Sequence, residues 1–214
     1  MNEGPSPSER TSANERRRRQ YAGEAPRYDR EAERIERWLF GPEHRLWACS
    51  RATGDTLEVA IGTGLNLADY PPEVRLTGLD LTPEMLARAH ARAGDLGRRI
   101  MLCEGDALAL PFGDETFDTV VSTYAMCSVP DERRAIEEMK RVLRAGGRLI
   151  LVDHVRSTVR VVEWIQRLME LAPSRGDDEL TRRPMTHVVA AGFRIEESGR
   201  FRAGIIERLA ARRP

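Results

Sequence analysis

Lysine is nearly absent from this chain: Lys140 is the only one among 34 basic side chains, and the rest are arginine. Those 34 are matched by 34 acids, so the formal net charge is +0. A chain with no charge excess has no global pull toward nucleic acid or an anionic membrane. The arginine bias reads as composition rather than as a phosphate-binding device. Cysteine is scarce too. Cys49, Cys103 and Cys127 are odd in number and scattered, which excludes a disulfide framework or a Cys-rich zinc site. The histidines His44, His90, His154 and His187 lack HxxxH or HExxH spacing, so no metal is expected. No apolar run is long enough to span a bilayer, and the first residues lack the apolar stretch of a secretory signal. A cytoplasmic protein, monomeric or homodimeric, is the expectation.

What is present fits one domain, with no internal repeat and no long linker. Residues 1–19 are polar, rich in Ser, Glu and Arg, and expected to be a disordered tail or one ordered only by a ligand. Residues 20–214 form the domain. Residues 20–50 read as a helical lid carrying Tyr21, Tyr28, Ile35, Trp38, Leu39, Leu46 and Trp47, apolar residues expected to pack on the body. Residues 156–191 read as acceptor-side helices. There Trp164, Ile165, Leu168 and Met169 belong either to the core or to an acceptor pocket.

Between them strand and helix alternate. Strands are predicted at 56–61, 74–80, 100–103, 117–123 and 148–152, with two closing strands at 193–201 and 205–210. Thr82-Pro83 opens a helix with Thr82 as N-cap, and Pro130-Asp131 opens another. The expectation is an α/β protein: a doubly wound, mostly parallel seven-stranded sheet with helices on both faces.

The stretch LEVAIGTGLNL (57–67) is an apolar strand that ends in Gly62-Thr63-Gly64 and runs on into a helix. Glycines there let backbone N–H groups approach a ligand closely. In an open parallel sheet, ligands bind beyond the C-terminal strand ends. Asp80 ends the second strand, where a carboxylate can accept from ribose hydroxyls; Asp106 follows the third, where one can accept from an exocyclic amine. Thr123 and Tyr124 follow the fourth, and His154, a candidate base, follows the fifth. Asp153 and Asp178 are weaker candidates, and Cys127 reads as packing. Tyr21 and Tyr28 offer aromatic faces to a cationic cofactor. Leu67 stands where a dinucleotide fingerprint wants Gly or Ala, which counts against NAD or FAD.

With these residues the chain resembles the class I S-adenosylmethionine-dependent methyltransferases of the ubiquinone/menaquinone type. The resemblance rests on the glycine motif from Glu58 to Gly64, on Asp80-Leu81 with Met85, and on EGDALALPF (104–112) with Asp106 and Ala107. FDTVVSTYAM (117–126) and LRAGGRLILVDHV (143–155) extend it. It implies S-adenosylmethionine as cofactor, held by Glu58, Gly62, Thr63, Gly64, Asp80, Leu81, Met85, Asp106, Ala107, Thr123, Tyr124, Tyr21 and Tyr28. His154 and Tyr28 are implied at the reacting end. YDREAERIERWLFG (28–41) is similar to phospholipid N-methyltransferases. CSV (127–129), DHV (153–155) and GDDELTRR (176–183) are similar to thiol methyltransferases of animals. Those relatives often carry a hydrophobic anchor. With none visible here, a soluble small-molecule acceptor bearing sulfur or nitrogen is expected, with at most peripheral membrane contact. C- or O-methylation of a quinone or natural product, or a regulator that binds cofactor without turnover, are the alternatives.

Overall fold

A computed structural model describes residues 5–171 and 179–214. Seven strands form one sheet in the order β3-β2-β1-β4-β5-β7-β6. They are β1 (Asp55–Val59), β2 (Arg75–Asp80), β3 (Met101–Glu104), β4 (Phe117–Thr123), β5 (Leu143–His154), β6 (Arg194–Phe201) and β7 (Ile206–Arg212). The first five run parallel, and β7 pairs antiparallel with both β5 and β6. Residues 145–147, expected as a turn before the fifth strand, bend within it, with Gly146 at φ +73°.

The central strands are apolar on both faces because both faces are covered. Val120, Leu149 and Leu151 point to one side, where they meet Ile136 and Met139 of α5 (Glu132–Val142) and Val188 of α7 (Pro184–Ala190). Val121, Ile150 and Val152 point to the other, toward Ala48 and Cys49 of α3 (Glu43–Cys49) and Ala93 of α4 (Pro83–Asp95). Asp131 caps α5 by accepting from the Arg134 amide at 3.0 Å. Thr82 sits at the N-cap of α4, but its hydroxyl makes no capping bond, contrary to expectation.

The sequence-based reading of the N-terminus needs correction. Residues 1–19 were expected as a disordered tail, yet α1 runs from Pro7 to Glu24. A capping box starts it: the Ser6 hydroxyl accepts from the Glu9 amide, and the Glu9 carboxylate accepts from the Ser6 amide at 2.7 Å. Polar side chains tie it to the body, which is why its low hydrophobicity misled. Arg18 meets Glu104 at 2.6 Å, and Arg10 meets Asp131 at 3.3 Å. α2 (Tyr28–Ile35) follows and continues into a π-helical turn at Glu36–Phe40.

A second correction concerns the lid's apolar residues. Ile35, Trp38, Leu39 and Leu46 were expected against the body and are exposed, Trp38 to 81%. Trp164, Ile165, Leu168 and Met169 of α6 (Arg160–Glu170) are likewise exposed rather than in the core. In the lid, Phe40 and Trp47 with buried Ala48 and Cys49 make the apolar contact instead, whereas α6 is held by polar side chains such as Gln166.

Candidate active site

The strand order reverses between β1 and β4, which opens a crevice at their C-terminal ends. A cleft of about 730 Å3, part of it open to solvent, occupies that position. Its walls include Gly62, Asp80, Leu81, Met85, Asp106, Ala107, Thr123 and Tyr124, with Tyr21 and Tyr28 contributed from above. Gly62, Asp80, Asp106 and Tyr124 meet there because each ends or follows a strand of the parallel sheet, while Tyr21 and Tyr28 come from helices.

The floor is set by backbone geometry. Gly62 has φ +58°, and a Cβ built on it would meet nothing within 4 Å, so the glycine presents bare backbone to the cleft. Ala60 and Tyr124, both lining the cleft, also adopt positive φ, at 58° and 55°, a strained conformation for residues with a Cβ. Asp80 is pinned by two amides: Gly62 N donates to Oδ2 at 2.8 Å, and Thr82 N to Oδ1 at 2.9 Å. Burial nonetheless raises its carboxyl above the usual range. Asp106 is fixed the same way, its Oδ1 accepting from Leu108 N at 2.8 Å.

Three implied cofactor residues stand elsewhere. Gly64 is a packing glycine, since a Cβ there would come within 3.2 Å of the Ala89 backbone in α4. Thr63 donates to Asp29 of α2 at 2.5 Å, and Arg92 of α4 meets the same carboxylate at 2.8 Å. Thr63 therefore fastens the lid. Glu58 is buried behind the floor and accepts from Asn66 at 2.6 Å; burial pushes its carboxyl up to about 7.

Several residues at the cleft were not anticipated. Asn14 and Arg17 of α1 line it beside Tyr21, an i, i+3, i+7 face that was legible in the sequence. Arg45 is the hub of the other wall. Its guanidinium grips Glu36 at 2.6 Å and donates to Asn66 at 2.9 Å and Thr123 at 3.0 Å. Phe40 stacks on Tyr124 with ring centroids 5.3 Å apart. No local pattern in the sequence marks Thr123 and Tyr124 as their partners, because β1, β2, α4 and β3 lie between.

His154 lies at the tip of β5, its ring 5.9 Å from that of Phe40. Potential ligand atoms of Cys127, Asp153 and His154 all lie within 4.8 Å of one another. Asp153 accepts from the Met126 and Ala125 amides at 2.6 and 3.2 Å, and burial raises its carboxyl to about 7. Burial likewise raises the Tyr28 hydroxyl to about 12, so it stays neutral. Asp178, with the first three residues of GDDELTRR, lies outside the described residues.

Residues 57–151 match the family model of a methyltransferase domain. This stretch carries a methyltransferase domain, for which S-adenosylmethionine is the cofactor. The chain is 45% identical over 116 residues to a phosphatidylethanolamine N-methyltransferase of Cereibacter sphaeroides, covering 53% of this chain and 57% of that one. It is 34% identical over 139 residues to the ubiquinone/menaquinone biosynthesis C-methyltransferase UbiE of Paracoccus denitrificans, covering 59% and 56%. The matched stretches thus span little more than half of these relatives. In fold it is similar to a putative methyltransferase in complex with the Haloferax volcanii activator Trm112, with TM-score 0.71, 18% identity and coverage of 91% and 97%. It is also similar to the YcgJ protein of Bacillus subtilis, with TM-score 0.62, 28% identity and coverage of 74% and 73%.

The cleft suits the domain's cofactor. Bare backbone at Gly62 and two carboxylates with spare lone pairs match a nucleoside. The Tyr124 hydroxyl on the same wall is buried without a hydrogen-bond partner among the described residues.

Proposed function

We propose that this chain is a cytoplasmic enzyme that methylates a nitrogen or sulfur atom of a small-molecule acceptor, with His154 taking the acceptor's proton. The observation that carries this reading is the cluster of His154, Asp153 and Cys127 at the end of β5, beside the wall formed by Tyr124 and Phe40. Asp80 would hold the ribose hydroxyls, Asp106 the adenine amine, and the Tyr28 ring would face the cation. Bound S-adenosylmethionine supplies a methyl carbon already activated by its sulfonium. The protein's part is then to orient the acceptor, exclude water and hold the released proton. α1 and α2 cover the cleft and serve the second of these tasks.

The 45% identical relative is named for nitrogen methylation, which supports the nitrogen arm. Relatives named as demethylmenaquinone methyltransferases favour a second reading, carbon methylation of a quinone. The two part in one screen. The protein is incubated with S-adenosylmethionine and thiols, amines, phosphatidylethanolamine or demethylated quinones, and products are read by mass. A methylated amine or thiol is expected; product from the quinone alone overturns the nitrogen-or-sulfur reading.

A further inference from the structure

The helix α6 is mounted backwards for a water-facing element. Val161, Trp164, Ile165 and Leu168 occupy i, i+3, i+4 and i+7, and are 68, 65, 44 and 54% exposed. Leu171, just beyond the helix, extends the stripe at 78%. The side against the body is polar. Gln166 is buried, donating to the carbonyls of Val155 at 2.9 Å and Leu180 at 3.2 Å and accepting from Ser157 N at 2.8 Å. Glu170 accepts from Thr181 N at 2.8 Å. A surface helix ordinarily buries its apolar stripe and wets its polar one.

A second apolar patch stands nearby in the fold. Ile35, Trp38 and Leu39 project from the end of α2 and the turn after it. Both patches are fastened to the same rim. Phe40, next after Leu39, packs on Tyr124 and His154, while α6 hangs from Val155 and Ser157 just past His154. The mouth of the cleft on its β5 side is therefore flanked by two outward apolar faces, each with a tryptophan.

The charges around them choose the partner. Arg30, Arg34, Arg37 and Arg160 are exposed and make no ion pair among the described residues. The neighbouring acids are mostly engaged: Glu36 with Arg45, Glu163 with Arg167, and Glu170 with Thr181, with Glu33 the exception. A stripe of aliphatic and indole side chains bordered by free guanidinium groups is the composition of a helix that lies in a bilayer interface. A net charge of +0 removes a global attraction but not this local one.

We propose that the outer faces of α6 and of residues 35–39 form a docking surface for an anionic lipid bilayer. The enzyme settles on it peripherally, with the cleft's mouth beside the headgroups. No helix among the described residues is long and apolar enough to cross a membrane, and this mode needs none. The inference concerns where the protein works and holds for any acceptor.

The test is vesicle sedimentation of the full chain, with phosphatidylcholine vesicles compared against vesicles that also contain phosphatidylglycerol. Binding to the anionic vesicles, weakened by salt, is expected. The pair Trp164→Glu and Leu168→Glu should lower partitioning at least about tenfold, and Trp38→Glu should act in the same direction. Thermal midpoint and S-adenosylmethionine affinity, measured alongside, should stay unchanged. The proposal is overturned by absence of binding to both vesicle types, or by binding that the substitutions leave intact. It is equally overturned if sedimentation velocity finds a dimer that these substitutions dissociate, which would assign the face to a second copy. None of these failures would touch the methyl-transfer reading, because the thiol and amine arms of its screen contain no lipid.

Discussion

Asn14 Nδ2 donates to Asp106 Oδ2 at 2.7 Å, so the first helix is latched onto the carboxylate proposed to hold the adenine amine. The other Asp106 oxygen is engaged by Leu108 N. On the proposed reading, this latch holds α1 over the adenine end of the cleft. A hydrogen bond to a charged group contributes about 1.5–3 kcal/mol, whereas the exposed Arg18–Glu104 pair adds little. Asn14→Ala should raise the cofactor dissociation rate on the order of tenfold, read by stopped-flow fluorescence; Arg18→Ala should change it little.

The Arg45–Glu36 pair is nearly closed to solvent, with side chains 12 and 13% exposed. Removing one partner of such a pair strands the other charge. Arg45→Ala should destabilise the protein by about 3–5 kcal/mol in urea unfolding. It should also loosen the wall, because Thr123 and Asn66 lose the same donor.

Asp153 carries the sign of a pH effect. Burial raises its carboxyl to about 7 in the folded protein, against about 3.9 unfolded. Such a group's contribution is fully present below the unfolded value and is lost as pH rises through the folded one. The wild type should therefore lose stability relative to Asp153→Asn between about pH 5 and pH 8, followed by thermal midpoint. The comparison with the variant cancels His44 and His187, whose pKa values burial depresses and which act in the opposite direction.

His154 tests the acceptor end. His154→Gln should cut turnover by about 10²–10⁴-fold and flatten the acidic limb of the pH–rate profile, with cofactor affinity unchanged by calorimetry. An unaltered profile would remove His154 from proton transfer.

The sheet was legible because its strands announce themselves. FDTVVST is apolar on both faces, and β4 spans those very residues. Asp80 and Asp106 were legible because each follows a strand, and topology sends strand ends to one crevice. Thr63 and Gly64 were read as ligands because they share a motif with Gly62. In the fold, consecutive residues of a tight turn point in different directions, so one faces the cleft, one the lid and one a helix. Arg45 and Phe40 were invisible, since no spacing rule links them to Thr123 or Tyr124, some eighty residues on. Helix α1 was missed because charged side chains, not apolar ones, hold it down. The outward stripe of α6 was visible as amphipathicity, but periodicity does not say which side meets water.

The nucleoside pocket underlies all of this, and a calorimetric titration of S-adenosylmethionine into wild type and Asp80→Ala addresses it most directly. With both proteins folded by circular dichroism, the variant should bind at least about tenfold more weakly, because a carboxylate that accepts from the ribose hydroxyls is gone. Equal affinity in the two proteins would contradict the assignment and leave the sheet without its cofactor site.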